Sequence, residues 1–92
     1  MNISIITFTE NGTKLAEKIR QAFVGTKTEE AKKLGLSLSD WTRQQFAEKN
    51  AIVVIGACGI AVRMIAPFVS DKLSDSPVVV ADEAGTFVIP LL

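Results

Sequence analysis

The stretch from Ala51 to Phe68 constrains the fold of this chain more than any other. Its first part, Ala51–Ile55, is continuously apolar and mostly β-branched, which is typical of a central strand covered on both faces. Two glycines, Gly56 and Gly59, then bracket a short turn, and the following residues are apolar on all sides of a helix except at Arg63. A strand, a glycine turn and a buried helix form half of a βαβ unit. The stretch therefore predicts a parallel sheet.

The same stretch predicts a binding site. The turn leaves the first N–H groups of a helix unpaired, above the carboxyl end of a strand. Arg63 is the only charged residue between Lys49 and Asp71. On a buried helix it needs an acidic partner, from a ligand or from the protein. The candidate partners within the protein are the carboxylates of Asp71, Asp75 and Asp82. We favour a carboxylate of a ligand as the partner of Arg63.

The first part of the chain predicts a strand followed by a helix on one face of the sheet. Ile3–Phe8 is mostly apolar, and Thr9–Gly12 has the composition of a turn. Asn11 or Thr13 is expected to cap the helix. Its predicted apolar face has the spacing i, i+4, i+7 and i+8 and consists of Leu15, Ile19, Ala22 and Phe23.

The middle of the chain predicts three short elements. Val24–Thr26 is a candidate edge strand, and Thr28–Gly35 has the charge order that favours a short helix. Ser37 begins a capping-box pattern, which opens a helix to about Lys49. That helix is expected to bury Leu38, Trp41 and Phe46. Trp41 is interpreted as a core residue rather than a surface for stacking a ligand.

The last part of the chain predicts a hairpin after a polar connection, Val69–Pro77. Val78–Ala81 and Thr86–Leu92 are apolar strands, and the short turn Asp82–Gly85 makes them antiparallel. The predicted fold class is therefore three-layer α/β and flavodoxin-like, with a mainly parallel sheet, a C-terminal antiparallel hairpin and one domain over residues 1–92.

Composition narrows the class of function. The ten basic and ten acidic side chains cancel without forming a stripe, so no nucleic-acid partner is expected. Two glycines, an arginine and a proline interrupt the longest apolar run, and the N-terminus lacks a basic leader, so we expect a cytoplasmic protein without membrane contact. One cysteine and no histidine exclude an intrachain disulfide and argue against a metal site.

The segment Phe87–Leu92 is an apolar strand with no polar residue to end it. A hydrophobic strand edge needs cover. We expect either that the chain is part of a longer protein or that a second copy covers this edge as a homo-oligomer.

The residues from Gly56 to Pro67 resemble the segment G-A-T-G-I-A-V-R-x-I-A-P of the CbiG family of cobalamin-biosynthesis proteins. The resemblance continues through the later strands and their turn, and it is weakest from Val24 to Gly35. Two residues depart from the family pattern, Cys58 in place of threonine and Ser76 in the loop before the later strands. The family also continues past Leu92 with a Gly-His segment and a second domain.

The resemblance implies a cobalt-precorrin-5A hydrolase of cobalamin (vitamin B12) biosynthesis, which opens the δ-lactone of a tetrapyrrole and releases acetaldehyde. Cobalt then enters only as part of the substrate, and no cofactor is implied. The chain looks like part of the N-terminal domain of such a hydrolase and is expected to be inactive alone. Two alternatives are a non-catalytic tetrapyrrole-binding module and an isolated flavodoxin-like scaffold.

Ligands of open α/β sheets bind outside the carboxyl ends of the strands, where three turns of this chain are expected to meet. The candidate substrate-binding residues are Thr9, Gly12, Gly56, Ala57, Cys58, Gly59, Arg63 and Asp75. Without histidine, carboxylates are the available general bases, and the candidate catalytic residues are Asp82 and Glu83. The alternative is that this pair forms only a turn and that Asp75 lies in a solvated loop. Cys58 is a candidate nucleophile, but we favour a small, buried side chain.

Overall fold

The computed structural model describes residues 2–70 and 75–92. These residues form a sheet with helices on both faces. In chain order the elements are β1 (Ile3–Thr7), α1 (Glu10–Ala22), β2 (Thr26–Glu30), a 3-10 turn (Ala31–Lys33), α2 (Leu38–Ala47), β3 (Ala51–Ile55), α3 (Cys58–Ile65), a second 3-10 turn (Ala66–Phe68), β4 (Val78–Ala81) and β5 (Val88–Pro90).

The five strands form one sheet in the order β2-β1-β3-β4-β5. The first four are parallel to one another, with Ile3 opposite both Thr26 and Ala51. β5 is antiparallel to β4, with Ile89 opposite Val80. This is the flavodoxin-like strand order. The predicted mainly parallel sheet with a C-terminal antiparallel hairpin is confirmed.

Two apolar clusters cover the two faces of the sheet. On one face, residues such as Ile6, Ile52 and Val54 pack against α2 and α3. On the other, Ile5 and Ile55 pack against α1. The alternation of faces along β1 and β3 thus places one helix on one side and two on the other, which confirms the three layers.

The helix α3 is less buried than its apolar sequence predicts. Ala61, Met64 and Ile65 face the core, whereas Ile60 and Val62 are exposed to 38% and 47%. The reason is its position, because α3 contacts α2 and β4 but has no helix on its other side in the described part of the chain. The prediction of a helix buried all round is wrong.

The first helix begins earlier than predicted. Thr9 is its N-cap, with Oγ1 accepting a hydrogen bond from the Gly12 N–H at 3.0 Å. The prediction that Asn11 or Thr13 caps the helix is wrong, because Thr9 alone has both an extended backbone and a suitably placed hydroxyl. Phe23 lies beyond the helix and is exposed, so the apolar face ends near Ile19.

The predicted helix over Thr28–Gly35 is also wrong. Thr28 lies in β2, and only Ala31–Lys33 form a 3-10 turn. In β2, half-buried and exposed residues alternate, and pairing with β1 satisfies its backbone. Tertiary pairing therefore overrides the charge order that favoured a helix. The edge strand predicted near Val24–Thr26 exists, but it begins at Thr26.

The helix predicted after Ser37 is confirmed. Ser37 Oγ accepts a hydrogen bond from the Asp40 N–H at 3.0 Å, and the helix α2 buries Trp41 to 4% exposure. Leu38 and Phe46 pack against the same core cluster. Among the helices of the described residues, none has the length and apolar character needed to cross a bilayer.

Candidate functional site at the carboxyl ends of the strands

Three connections meet at the carboxyl ends of the parallel strands, which we call the carboxyl edge. They follow β1, β3 and β4, which run side by side in the same direction. The predicted meeting of Thr9–Gly12, Gly56–Gly59 and Asp82–Glu83 is confirmed as a matter of fold. The roles of these residues in binding and catalysis stay predictions.

The turn after β1 is held by close packing at Gly12. A Cβ atom at this position would lie 3.1 Å from Thr9 Oγ1 and 3.2 Å from Ile55 Cγ2. The start of α1 therefore sits directly against the end of β3, and a side chain at Gly12 would push the two apart. Gly12 has a structural reason to be glycine, which needs no ligand.

The hairpin between β4 and β5 contacts the start of α1 through Glu83. The Thr9 hydroxyl donates a hydrogen bond to Glu83 Oε2 at 2.5 Å. Thr9 thus accepts from its own helix and donates to a residue 74 positions away. This bond holds the Glu83 carboxylate at the carboxyl edge, where both residues remain exposed.

The Asp82 carboxylate is part of the hairpin turn. Its Oδ1 accepts a hydrogen bond from the Phe87 N–H at 2.7 Å, while its backbone oxygen accepts from the Gly85 N–H at 2.9 Å. Gly85 has a φ of +74°, a conformation that favours glycine. Asp82 therefore has a turn-forming function that Glu83 lacks.

The start of α3 presents free backbone donors at the carboxyl edge. Gly56 is held by its N–H bond to Ala81 O at 2.9 Å and by the Phe8 ring, which lies 3.1 Å from where a Cβ would be. Ala57 is the N-cap residue and supplies no side-chain cap. No hydrogen bond from the backbone N–H of Cys58 or Gly59 is formed to the described residues. A Cβ at Gly59 would meet nothing within 4 Å, so the space above the helix start is open.

Cys58 is exposed. The prediction of a small, buried cysteine is wrong, because the first residue of α3 points away from the core that Ala61, Met64 and Ile65 fill. Exposure alone gives the thiol no catalytic partner: residues 2–70 and 75–92 contain no histidine to activate it.

Arg63 is exposed and has no ion pair with any described carboxylate. The prediction that it sits on a buried surface is wrong, because only one side of α3 is covered; a ligand carboxylate as its partner stays a prediction. It lies five residues along the helix from Cys58, or about 7.5 Å at 1.5 Å per residue. There it lines a cleft of about 310 Å³ with Leu38, Ile60 and Pro67.

Asp75 lies at the opposite end of the sheet from the glycine turn. It precedes β4, so it is near the amino ends of the strands, and its carboxylate accepts hydrogen bonds from the Ser70 N–H at 3.0 and 3.2 Å. The structure does not bring it together with Gly56–Gly59. Asp71, another of the three protein carboxylates proposed as partners of Arg63, lies outside the described residues.

Two lysines of α1 were missed as candidates because their spacing reads as a solvated helix face. Lys14 and Lys18 line a groove of about 260 Å³ with Asn11 and with Glu83 and Ala84 of the hairpin. Neither lysine pairs with a described carboxylate. The groove forms because the hairpin between β4 and β5 lies against this part of α1. No signal in the sequence near the lysines indicates it.

Comparison with known proteins gives consistent matches. The profile of the cobalamin synthesis G N-terminal family matches residues 40–92. The cobalt-precorrin-5A hydrolase of Salmonella typhimurium is 38% identical over 98 residues, covering 99% of this chain but 28% of that protein. The chain thus spans little more than a quarter of this relative. The crystal structure of a cobalamin biosynthesis protein G homolog from Sulfolobus solfataricus shares the fold, with a TM-score of 0.71 over 99% of this chain and 29% of that one at 23% identity.

Proposed function

Because the chain belongs to the cobalamin synthesis G N-terminal family, we propose that it forms part of a cobalt-precorrin-5A hydrolase of cobalamin biosynthesis. In this proposal the complete enzyme opens the δ-lactone of the cobalt-containing tetrapyrrole and releases acetaldehyde. The described residues supply a binding surface for the acidic side chains of that substrate. Cobalt belongs to the substrate and not to the protein.

The observation that carries this proposal is the uncapped start of α3. Its free N–H groups at Cys58 and Gly59 face open space at the carboxyl edge. This position lies beside β1 and β3, where successive connections leave the sheet in opposite directions. Ligands of doubly wound sheets bind at such a point, and a helix start favours carboxylates there.

The lysine groove extends the same chemistry. A tetrapyrrole with several acetate and propionate groups needs more than one cationic or N–H contact. Lys14 and Lys18 provide two positive charges in a groove where Glu83 is the one acidic residue among the described lining residues. Long-range attraction by these lysines would draw the acidic substrate toward the carboxyl edge. Arg63, on the outer side of α3, is then a peripheral contact.

Of the two candidate bases, Glu83 fits the proposed hydrolysis better than Asp82. Opening a lactone requires a base that takes a proton from the attacking water. The Asp82 carboxylate is half-buried and closes the hairpin turn through its bond to the Phe87 N–H. Glu83 is exposed and lines the lysine groove, and Thr9 orients it through one oxygen. In this mechanism Glu83 Oε1 accepts a proton from the water that attacks the lactone carbonyl, while Thr9 keeps the carboxylate in place. The ring C–O bond then breaks to give a carboxyl group, and the proton passes from Glu83 to the leaving alkoxide.

Titration of the chain with cobyrinic acid, a cobalt corrinoid that carries free carboxylates, tests the binding part of the proposal. Saturation in the micromolar range, followed by the visible spectrum, is the expected result. The informative variant is Gly59→Asp, which has room for its side chain and no positive φ. Its carboxylate repels the ligand, and we expect binding at least about tenfold weaker, since a charge-assisted bond contributes roughly 1.5–3 kcal/mol.

The matched control is Gly59→Ala, which adds a Cβ without charge and should bind like the original chain. Acidic residues near a helix start stabilise it by about 0.3–1 kcal/mol, so Gly59→Asp should not unfold the protein. Equal affinity of the two variants would show that the α3 start is not part of the binding surface. Arg63→Met should change both affinity and stability little, and a large loss of stability would indicate an internal partner instead.

A further inference from the structure

A second groove lies at the opposite end of the sheet from the carboxyl edge. It has a volume of about 490 Å³ and runs over the edge strand β2, between α2 and the loop that contains Gly35. Asn2 and Asn50 line it, and they immediately precede β1 and β3. It therefore opens near the amino ends of the strands, away from the surface proposed to bind the tetrapyrrole. Its volume is within the range of small-molecule sites, about 300–1,000 Å³.

A buried polar network forms one wall of this groove. Gln45 Oε1 accepts hydrogen bonds from the Ser4 hydroxyl at 2.6 Å and from Asn50 Nδ2 at 2.9 Å. All three side chains are more than nine-tenths buried, at 5%, 7% and 8% exposure for Ser4, Gln45 and Asn50. Two donors converging on one oxygen fix the orientation of the Gln45 carboxamide.

The amide nitrogen of Gln45 has unused donors. Its Nε2 atom makes no hydrogen bond to any described residue. Among the described residues, Thr26 Oγ1 is the only fully buried side-chain polar atom without a hydrogen-bond partner. Gln45 Nε2, which also lacks a partner among them, is therefore accessible to solvent. Because Gln45 is otherwise buried and lines the groove, the accessible N–H groups open into it.

The rest of the lining favours a neutral ligand with both donors and acceptors. Four of the six asparagine and glutamine side chains in the sequence line this groove: Asn2, Gln44, Gln45 and Asn50. Among the charged residues, Lys27 is outnumbered by Glu29 and Glu48, which disfavours an anion and provides acceptors for N–H groups. Leu34 and Leu36 add an apolar wall.

We infer that this groove binds a small molecule with an amide group, through the Gln45 amide N–H groups. The carbonyl oxygen of the ligand accepts from Gln45 Nε2, and its N–H groups donate to carboxamide or carboxylate oxygens of the lining. A carboxylate in the same place accepts from Gln45 but cannot donate, and it is repelled by Glu29 and Glu48. The site therefore discriminates an amide from the corresponding acid.

Nuclear magnetic resonance titration with nicotinamide and nicotinate tests this discrimination, because the two probes differ only in amide against carboxylate. We expect nicotinamide to shift the Gln45 side-chain N–H resonances saturably, with a dissociation constant on the order of 1 mM for a fragment of this size. Nicotinate should bind at least about tenfold more weakly. Equal shifts by both probes, or shifts that do not saturate, would overturn the inference and leave a groove filled only by water.

Two variants locate the effect. Gly35→Leu places a side chain beside the groove, where a Cβ meets nothing within 4 Å, and leaves the buried network untouched. It should abolish the nicotinamide response. Gln45→Glu keeps the acceptor for Ser4 and Asn50 but removes the donors, and it should do the same. If Gln45→Glu fails to fold, Gly35→Leu decides the question alone, and an unchanged nicotinamide affinity in that variant contradicts the inference.

Discussion

Replacing Thr9 by alanine removes two hydrogen bonds, one within the start of α1 and one to the distant hairpin. The Thr9 hydroxyl accepts from the Gly12 N–H at 3.0 Å as the N-cap of α1 and donates to Glu83 Oε2 at 2.5 Å. The backbone bond from the Thr13 N–H to Thr9 O is unaffected by the change. Thr9→Ala should therefore loosen both the helix start and its contact with the hairpin, without disturbing the sheet.

The magnitude follows from the two bonds taken separately. Loss of a threonine N-cap costs about 1 kcal/mol. The bond to Glu83 is solvent-exposed, so it contributes about 0.5 kcal/mol, at the low end for hydrogen bonds in proteins. The free energy of unfolding should fall by about 1.5 kcal/mol. At about 4–8 °C per kcal/mol for a domain of this size, the midpoint of thermal unfolding should fall by about 6–12 °C.

Urea denaturation of Thr9→Ala, Glu83→Ala and the double variant separates the contribution of the helix cap from that of the bond to Glu83. Together the three variants form a double-mutant cycle, which isolates the coupling energy between the two side chains. A coupling of about 0.5 kcal/mol is expected. Thr9→Ser keeps the hydroxyl and serves as the control, with stability close to that of the original chain. If Thr9→Ala were as stable as Thr9→Ser, the hydroxyl would make neither bond in solution, and the proposed orientation of Glu83 would lose its basis.

Three further predictions concern other parts of the molecule. Cys58→Thr should leave stability and corrinoid binding unchanged because the thiol is exposed, and a loss of binding with an intact fold would assign the thiol a function. Phe87 and Val88 are exposed to 67% and 63% at an edge strand, so we expect the chain to self-associate at about tens of micromolar. Val88→Lys should weaken this association in sedimentation experiments, and a purely monomeric original chain would contradict the prediction. The Arg20 guanidinium, hydrogen-bonded to Glu17, lowers the pKa of that carboxyl below its usual value. The pair therefore stabilises the fold above the unfolded-state pKa and loses this effect as the pH falls through the folded-state pKa. Arg20→Gln should return the Glu17 midpoint toward its usual value in a carboxyl titration.

The sequence was sufficient for the elements whose pattern reflects burial on both faces or a strong local cap. Ala51–Ile55 could be predicted as a central strand because a continuous apolar run is stable only when covered on both sides. Ser37 could be predicted as a cap because its bond is local. β2 was mistaken in part for a helix because its stability comes from pairing with β1, a contact that its own residues do not encode.

The site was predictable in its backbone and not in its side chains. Gly56 marks the turn after β3, and the parallel order places that turn at the carboxyl edge, although α3 begins at Cys58 and so includes Gly59, which was predicted to end the turn. Whether Arg63 is buried depends on how many helices cover α3, which the local sequence does not reveal. Likewise, the groove beside Lys14 exists only because a hairpin distant in sequence folds against α1.

The three helix starts in the described part of the chain differ in a way that bears on function. Thr9 caps α1 and Ser37 caps α2, each with a side-chain hydroxyl, whereas Ala57 at the start of α3 has no group to do so. A serine or threonine cap stabilises a helix by about 1 kcal/mol relative to alanine, so the α3 start forgoes a gain that the other two obtain. A hydroxyl at position 57 would occupy an N–H donor that an acidic ligand needs. Local departures from the rules of stability are expected where a site requires them, and this one lies at the carboxyl edge where the tetrapyrrole is proposed to bind.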